Sequence, residues 1–233
     1  MVHVVGHRGA AAVAPENTLT SFRRAIADGA DVVELDVHAS ADGRIVVIHD
    51  RTVDRTAVGG RATGTVAELT WAELQQVELP GDERIPLLEE ALAAISTPVQ
   101  LEIKAPAAAL AAAEMVRSAG LADRVTMISF NADALRTVRH TDPTLPVGVV
   151  TSRPTPEKLA VVDELDAAML SVEIPHLDGE RLGGLQERGV RLCAWTALRD
   201  PDVRAAVDGG ADLVAADDPA WCRSVLESLV DRV

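Results

Sequence analysis

Nine short apolar runs punctuate the chain: VHVVGH (2–7), DVVELDV (31–37), RIVVIHD (44–50), VQLEIK (99–104), VTMISF (125–130), LPVGVV (145–150), AAMLSVE (167–173), VRLCAW (190–195) and DLVAAD (212–217). Each is too short for a helix and bounded by polar or turn residues, so each predicts a buried strand. Between most of them lie stretches of helical periodicity, such as TSFRRAIADGA and AAALAAAEMVRSAG. Several of these end on glycine, at Gly29, Gly120, Gly189 and Gly209 or Gly210, as helix stops do. Apolar strands alternating with helices predict a parallel sheet covered by helices. No linker or internal repeat divides the chain, so residues 1–233 are expected to form one domain.

One connection breaks the alternation. Between DVVELDV and RIVVIHD stands only HASADG, too short for a parallel crossover of roughly a dozen residues. This pair is expected to be an antiparallel hairpin turning at Asp42-Gly43. A two-residue turn there pairs Ala41 with Arg44, and counting back sets His49 opposite Asp36. Setting the hairpin's second strand aside leaves eight strands, the count of a closed (β/α)8 TIM barrel. Residues 51–86 do not fit the repeat. They are expected to be a small excursion over one end of the barrel, with Thr70 and Glu73 as a capping box for a short helix.

Composition narrows the function. The net charge of -14 argues against nucleic acid and anionic membrane as partners, which need basic patches. No apolar stretch reaches the roughly 18 residues that span a bilayer, and no signal peptide precedes the first strand. A cytoplasmic location is the expectation. Cys193 and Cys222 lack metal or redox spacing and are expected to be free, buried thiols. Lys104 and Lys158 are the only lysines among 22 basic residues, so a lysine at a strand end stands out.

Strand alternation sorts the polar groups. Glu34 and Asp36 share one face of their strand, and Glu102 and Lys104 share one face of theirs. Inward carboxylates are costly unless paired or bound to a cation. Three of them converging at C-terminal strand ends suit a hard divalent ion, Mg²⁺ or Ca²⁺. The alternative is a set of buried ion pairs to Arg8, Arg51 and Lys104. His7 and His49 both end strands and can serve as general acid and base. Arg8 offers a planar fork for phosphate oxygens and Lys104 a point charge. Together they describe a pocket for a small-molecule phosphate ester. Trp195 ends a late strand and either walls this pocket or packs in the core. Glu16-Asn17-Thr18 reads as a helix cap that braces the His7 loop, Asn131 or Asp133 as a cap of the following helix, and Asp217 with Asp218-Pro219 as a turn and cap. His38 belongs to the hairpin extension.

The ordered set HRG, PENT, ELDV with DG and VIHD, then LEIK resembles the glycerophosphodiester phosphodiesterase family. The later SF, WT and GADLVAADDP stretches are similar to its closing strands, so the likeness runs from Val2 to about Pro219. It implies a TIM barrel, a divalent ion held by Glu34, Asp36 and Glu102, and His7 and His49 as the acid/base pair. It also implies Arg8 and Lys104 on the phosphate. The implied substrates are deacylated phospholipids, cleaved to glycerol 3-phosphate and an alcohol. A lysophospholipase D or sphingomyelinase D-like activity, or a non-catalytic phosphodiester-binding barrel, would use the same constellation. Two positions depart from the family pattern: Leu198 stands where an asparagine is frequent, and Leu87 where a capping threonine is usual.

Overall fold

A computed structural model describes residues 2–60 and 62–230. Eight parallel strands close into a ring in the order β1 (His3–Gly6), β2 (Val32–Ala39), β6 (Val99–Ile103), β7 (Val125–Ser129), β8 (Val147–Thr151), β9 (Met169–Glu173), β10 (Arg191–Ala197) and β11 (Leu213–Ala216). Pairing of β1 with both β11 and β2 completes the ring. Each of the eight ring strands and the hairpin partner β3 (Ile45–Val47) coincides with one of the nine apolar runs, with β2, β8 and β10 running one or two residues past theirs. The fold is the expected TIM barrel.

Helices α1 (Leu19–Ala27), α3 (Leu88–Ala94), α4 (Ala109–Ser118), α5 (Ala132–Thr141), α6 (Pro156–Glu164), α7 (Gly179–Gln186), α8 (Asp200–Asp208) and α9 (Pro219–Val230) lie outside the ring. Odd residues of β2 (Val33, Leu35, Val37) face these helices in the main core with Phe22, Leu88 and Leu92. Val5, Val32, Ile128, Val150, Met169, Cys193, Leu213 and Ala215 form a second cluster inside the ring. With tyrosine absent and aromatics at 2%, aliphatic side chains carry this packing.

The hairpin exists, but its register differs from the expected one. Ala39 pairs with Ile45, His38 with Val46 and Val37 with Val47. The loop has three residues, closed by Ser40 N–H to Arg44 O at 2.9 Å, and Gly43 takes φ +78°. Such a loop ends on a residue in the left-handed region, which glycine reaches freely. The Ser40 hydroxyl accepts from Arg44 N–H at 2.9 Å and donates to Asp42 at 2.7 Å. These side-chain contacts select three residues over two. Ile48, not His49, therefore stands opposite Asp36, its N–H donating to Asp36 O at 3.0 Å.

The excursion is more than connection. Val46 and Ile48 of the hairpin pack with Val53, Ala57, Val66, Leu74, Val77, Leu79, Ile85 and Leu87 as a separate small core. Within it lie α2 (Trp71–Leu74) and a two-residue antiparallel pair, β4 (Glu78–Leu79) with β5 (Glu83–Arg84), which periodicity did not reveal. Thr70 opens α2: its N–H and hydroxyl both donate to Glu73, at 2.8 and 2.7 Å. At α3 the Glu90 carboxylate accepts from Leu87 N–H at 2.8 Å, which keeps the reciprocal half of a capping box, while the half that a side-chain acceptor at position 87 would supply is missing.

Candidate active site

The C-terminal strand ends bring the expected groups to one cavity of about 170 Å³, lined by His7, Arg8, Glu34, His49, Glu102, Lys104, Phe130 and Trp195 among others. They are delivered by six strands: His7 and Arg8 follow β1, Glu34 lies in β2, His49 follows β3, Glu102 and Lys104 come from the end of β6, Phe130 follows β7 and Trp195 lies in β10. His7 continues β1, its N–H bonded to Ala216 O at 3.0 Å. Arg8 follows at φ +52°, an uncommon setting for a non-glycine residue. That turn aims the Arg8 N–H at Glu34 Oε2, 2.8 Å away. Gly9 at φ +84° lets the loop lie on α1: a Cβ there would sit 2.3 Å from Ser21 Oγ. The same hydroxyl donates to Arg8 O at 2.9 Å.

Glu34, Asp36 and Glu102 each offer an oxygen, and the three oxygens lie within 4.8 Å of one another. Asp36 and Glu102 are adjacent because β2 and β6 pair them in register. Asp36 is further held by Asn17, whose Nδ2 donates at 2.8 Å and whose Oδ1 accepts from Asp36 N–H at 3.2 Å. Asn17 itself sits at φ +57°, and Thr18 caps α1 by accepting from Ser21 N–H at 3.1 Å. PENT thus caps and braces as expected.

Ion pairs account for part of the acidic cluster. Lys104 Nζ is 2.8 Å from Glu102 and 3.4 Å from Asp36, while Arg8 Nε is 3.5 Å from Asp36. Arg51 is exposed. Glu34 Oε1 is buried without a hydrogen-bond partner among the described residues. Burial, reinforced by the Asp36 charge, pushes the Glu34 carboxyl up to about 8. An orphaned buried oxygen beside two further carboxylates suits a hard cation, and the donor set is all oxygen. The residues present therefore fit Mg²⁺ or Ca²⁺.

Both histidines are oriented by carboxylates. His7 Nδ1 lies 2.7 Å from Asp217 Oδ1, and His49 Nδ1 lies 2.7 Å from Asp50 Oδ1. Burial alone would lower the His7 pKa, but the Asp217 bond and the Glu34 charge outweigh it and hold it above its ordinary value. Burial dominates at His49 and keeps its pKa below the ordinary value despite Asp36 and Asp50. His49 does not gain Asp36 as its cross-strand partner; Asp50, the next residue, takes the orienting role. His38 holds the His49 peptide, with Nε2 3.1 Å from His49 O.

Trp195 walls the cavity with Phe130, ring centroids 5.6 Å apart and planes at 84°. Its Nε1 is buried without a partner among the described residues. Asn131 caps α5, accepting from Asp133 N–H at 2.8 Å and Ala134 N–H at 3.2 Å.

Three supporting residues went unassigned to the site on sequence grounds: Asp217, Asp50 and Arg55. Asp217 had a usable signal. Ring closure sets β11 beside β1, so the residue after Ala216 meets the residue after Gly6. Within the expected Asp217-Asp218-Pro219 turn the cap role falls to Asp218, which accepts from Trp221 N–H at 3.0 Å. Arg55 carried no signal, because it reaches the site from the excursion: it bonds Glu16 at 2.6 and 2.8 Å and Asp50 at 2.6 Å.

A closed barrel whose mouth joins two carboxylate-anchored histidines, an acidic triad and two cations is a TIM-barrel enzyme built for phosphate-ester chemistry. Comparison gives the family. Residues 7–221 match the glycerophosphoryl diester phosphodiesterase family. A glycerophosphodiester phosphodiesterase of Caldanaerobacter subterraneus is 32% identical over 231 residues, covering 93% of this chain and 94% of that protein. An Oleispira antarctica phosphodiesterase, solved in complex with the product sn-glycerol-3-phosphate, superposes with TM-score 0.87 at 26% identity, covering 97% of this chain and 96% of its own. The glycerophosphodiester phosphodiesterase of Thermotoga maritima superposes with TM-score 0.83 at 26% identity, covering 97% and 98%. The chain belongs to the glycerophosphoryl diester phosphodiesterase family and is an enzyme of that class.

Proposed function

We propose that this enzyme hydrolyses glycerophosphodiesters to glycerol 3-phosphate and an alcohol, with a divalent cation and a two-histidine acid/base pair. The observation that carries the reading is the pairing at one cavity of His7 and His49, each with Nδ1 on a carboxylate and displaced in opposite directions from the ordinary histidine pKa. His49, held neutral, takes the proton of the attacking water or glycerol 2-hydroxyl through Nε2, since Nδ1 is engaged; where the hydroxyl attacks, water then opens the cyclic phosphate to glycerol 3-phosphate. As the bond from phosphorus to the alcohol oxygen breaks, His7 gives its proton to that oxygen. Arg8 and Lys104 hold the phosphate oxygens, and Trp195 with Phe130 walls the organic part. Glu34, Asp36 and Glu102 would hold Mg²⁺ or Ca²⁺, which when bound stabilises negative charge on the phosphoryl group.

The same reading takes the chain as one working domain acting in the cytoplasm on small phosphodiesters, without nucleic acid. Among the described residues no helix is long and apolar enough to cross a membrane. The test is glycerol 3-phosphate release from glycerophosphocholine and glycerophosphoethanolamine, first with chelator and then with Mg²⁺ or Ca²⁺ restored. Release that stops and returns supports the reading; no release under any condition overturns it.

One observation favours a second substrate class. Among the described residues Val13, Phe130 and Leu198 are exposed large hydrophobics in the segments after barrel strands β1, β7 and β10, and Phe130 lines the cavity. A lysophospholipid chain would find apolar contacts there. A detergent-dispersed lysophospholipid belongs in the same assay, and turnover exceeding that of glycerophosphocholine would shift the assignment to a lysophospholipase D.

A further inference from the structure

We propose that Arg55 is a positioning residue that locks the general base and the phosphate-binding arginine into one rigid unit, so that the excursion is part of the catalytic centre. This rests on the acid/base reading above. The geometry is a chain of five side chains. Arg8 Nη1 donates to Glu16 Oε1 at 3.1 Å. Arg55 then forks onto Glu16, Nη2 to Oε1 at 2.6 Å and Nη1 to Oε2 at 2.8 Å. Its other edge forks onto Asp50, Nε to Oδ2 at 2.6 Å and Nη2 to Oδ1 at 3.1 Å. Asp50 Oδ1 in turn meets His49 Nδ1 at 2.7 Å.

Two bidentate forks on one guanidinium fix both carboxylate planes at once, a task only arginine's planar donor array performs. Without Arg55 the Asp50 carboxylate, about a quarter exposed, is free to turn toward water, since its ring partner holds only one oxygen. Glu16 would likewise lose the fork that sets its angle to Arg8. The backbone that carries Arg55 is fixed from below: Val53 and Ala57 on either side of it are buried in the excursion core, and Ala57 N–H bonds Val53 O at 3.0 Å. Rigidity therefore passes from that core through Arg55 to the two loops that present His49 and Arg8. Also facing His49 are Asp36 and His38 from β2, Lys104 after β6 and Arg8 after β1, none of which belongs to the excursion.

The test uses the full chain and two readouts. In metal-free protein, ring nitrogen shifts of His49 report its tautomer without reference to turnover. The wild type is expected to show the Nδ1–H form alone, and Arg55→Gln a mixture of both. On glycerophosphoethanolamine with the activating ion, Arg55→Gln is expected to lower kcat tenfold or more with Tm nearly retained. The double variant with Asp50→Asn should then be no slower than Asp50→Asn alone, because coupled residues are not additive. Arg55→Lys keeps the charge but not the forks, so it should fold as the wild type and stay within threefold of Arg55→Gln. A single Nδ1–H tautomer in Arg55→Gln, additive losses in the cycle, or full recovery with lysine would each overturn the proposal. If the wild type cleaves no glycerophosphodiester, the tautomer experiment still decides the positioning role, and the catalytic reading alone fails.

Discussion

His7 Nδ1 and Asp217 Oδ1 lie 2.7 Å apart although 210 residues separate them. The carboxylate occupies Nδ1 and leaves Nε2 for chemistry. Asp217→Asn keeps the shape and removes the charge. By analogy with orienting aspartates in hydrolase triads, kcat should fall by about 100-fold or more. Steady-state kinetics together with an unchanged melting temperature would check it; kcat within threefold of wild type would refute the orienting role.

The two histidines predict a bell-shaped dependence of kcat/KM on pH. His49 must be neutral to accept a proton, so the acid limb should lie below 6.5, the ordinary histidine value, because burial lowers its pKa. His7 must be protonated to donate, so the alkaline limb should lie above 6.5, because the Asp217 bond and the Glu34 charge outweigh burial there. Activity is lost as pH falls through the first value and as it rises through the second. In Asp217→Asn the alkaline limb should move to lower pH, and a profile with that limb unmoved would reassign it.

Metal binding should be visible without turnover. Three carboxylates with oxygens within 4.8 Å repel one another, and a cation relieves that repulsion. Added Mg²⁺ or Ca²⁺ is expected to raise the melting temperature of chelator-treated protein. Glu34→Gln should abolish the rise while leaving the metal-free melting temperature no lower than wild type, since Gln can still accept the Arg8 N–H bond. Differential scanning calorimetry decides; an undiminished rise in Glu34→Gln would place the ion elsewhere.

The excursion has its own core, and Leu74 is fully buried in it. Leu74→Ala should cost about 2–5 kcal/mol, the range for large-to-small changes in a packed interior. Urea denaturation measures it. A loss under 0.5 kcal/mol would show that this cluster adds little to the folded state.

Much of the barrel could be read along the chain. The nine apolar runs became the ring strands and β3, because strand alternation and helical periodicity are local properties that burial enforces residue by residue. The same alternation set Glu34 with Asp36, and Glu102 with Lys104, and all four meet at one end of the ring. The hairpin shows where locality stops. Asp42-Gly43 marked a turn, but its length depended on how Ser40 and Asp42 spend their hydrogen bonds, and Asp42 also receives Trp71 N–H at 2.9 Å from the excursion. One residue of slip moved Ile48 into the place expected for His49.

The sequence by itself determined the fold class, the strand ends at which the candidate site forms and the residue types gathered there. Tertiary structure decided which carboxylate serves which histidine and which arginine clamps them. Asp217 reached His7 only through closure of the ring, and Arg55 reached Asp50 and Glu16 only because the excursion folds back over the barrel mouth. Periodicity is fixed by neighbours a few residues away. Hydrogen-bond partnership between side chains is fixed by distances of about 3 Å across elements far apart in the chain, and those exist only after packing.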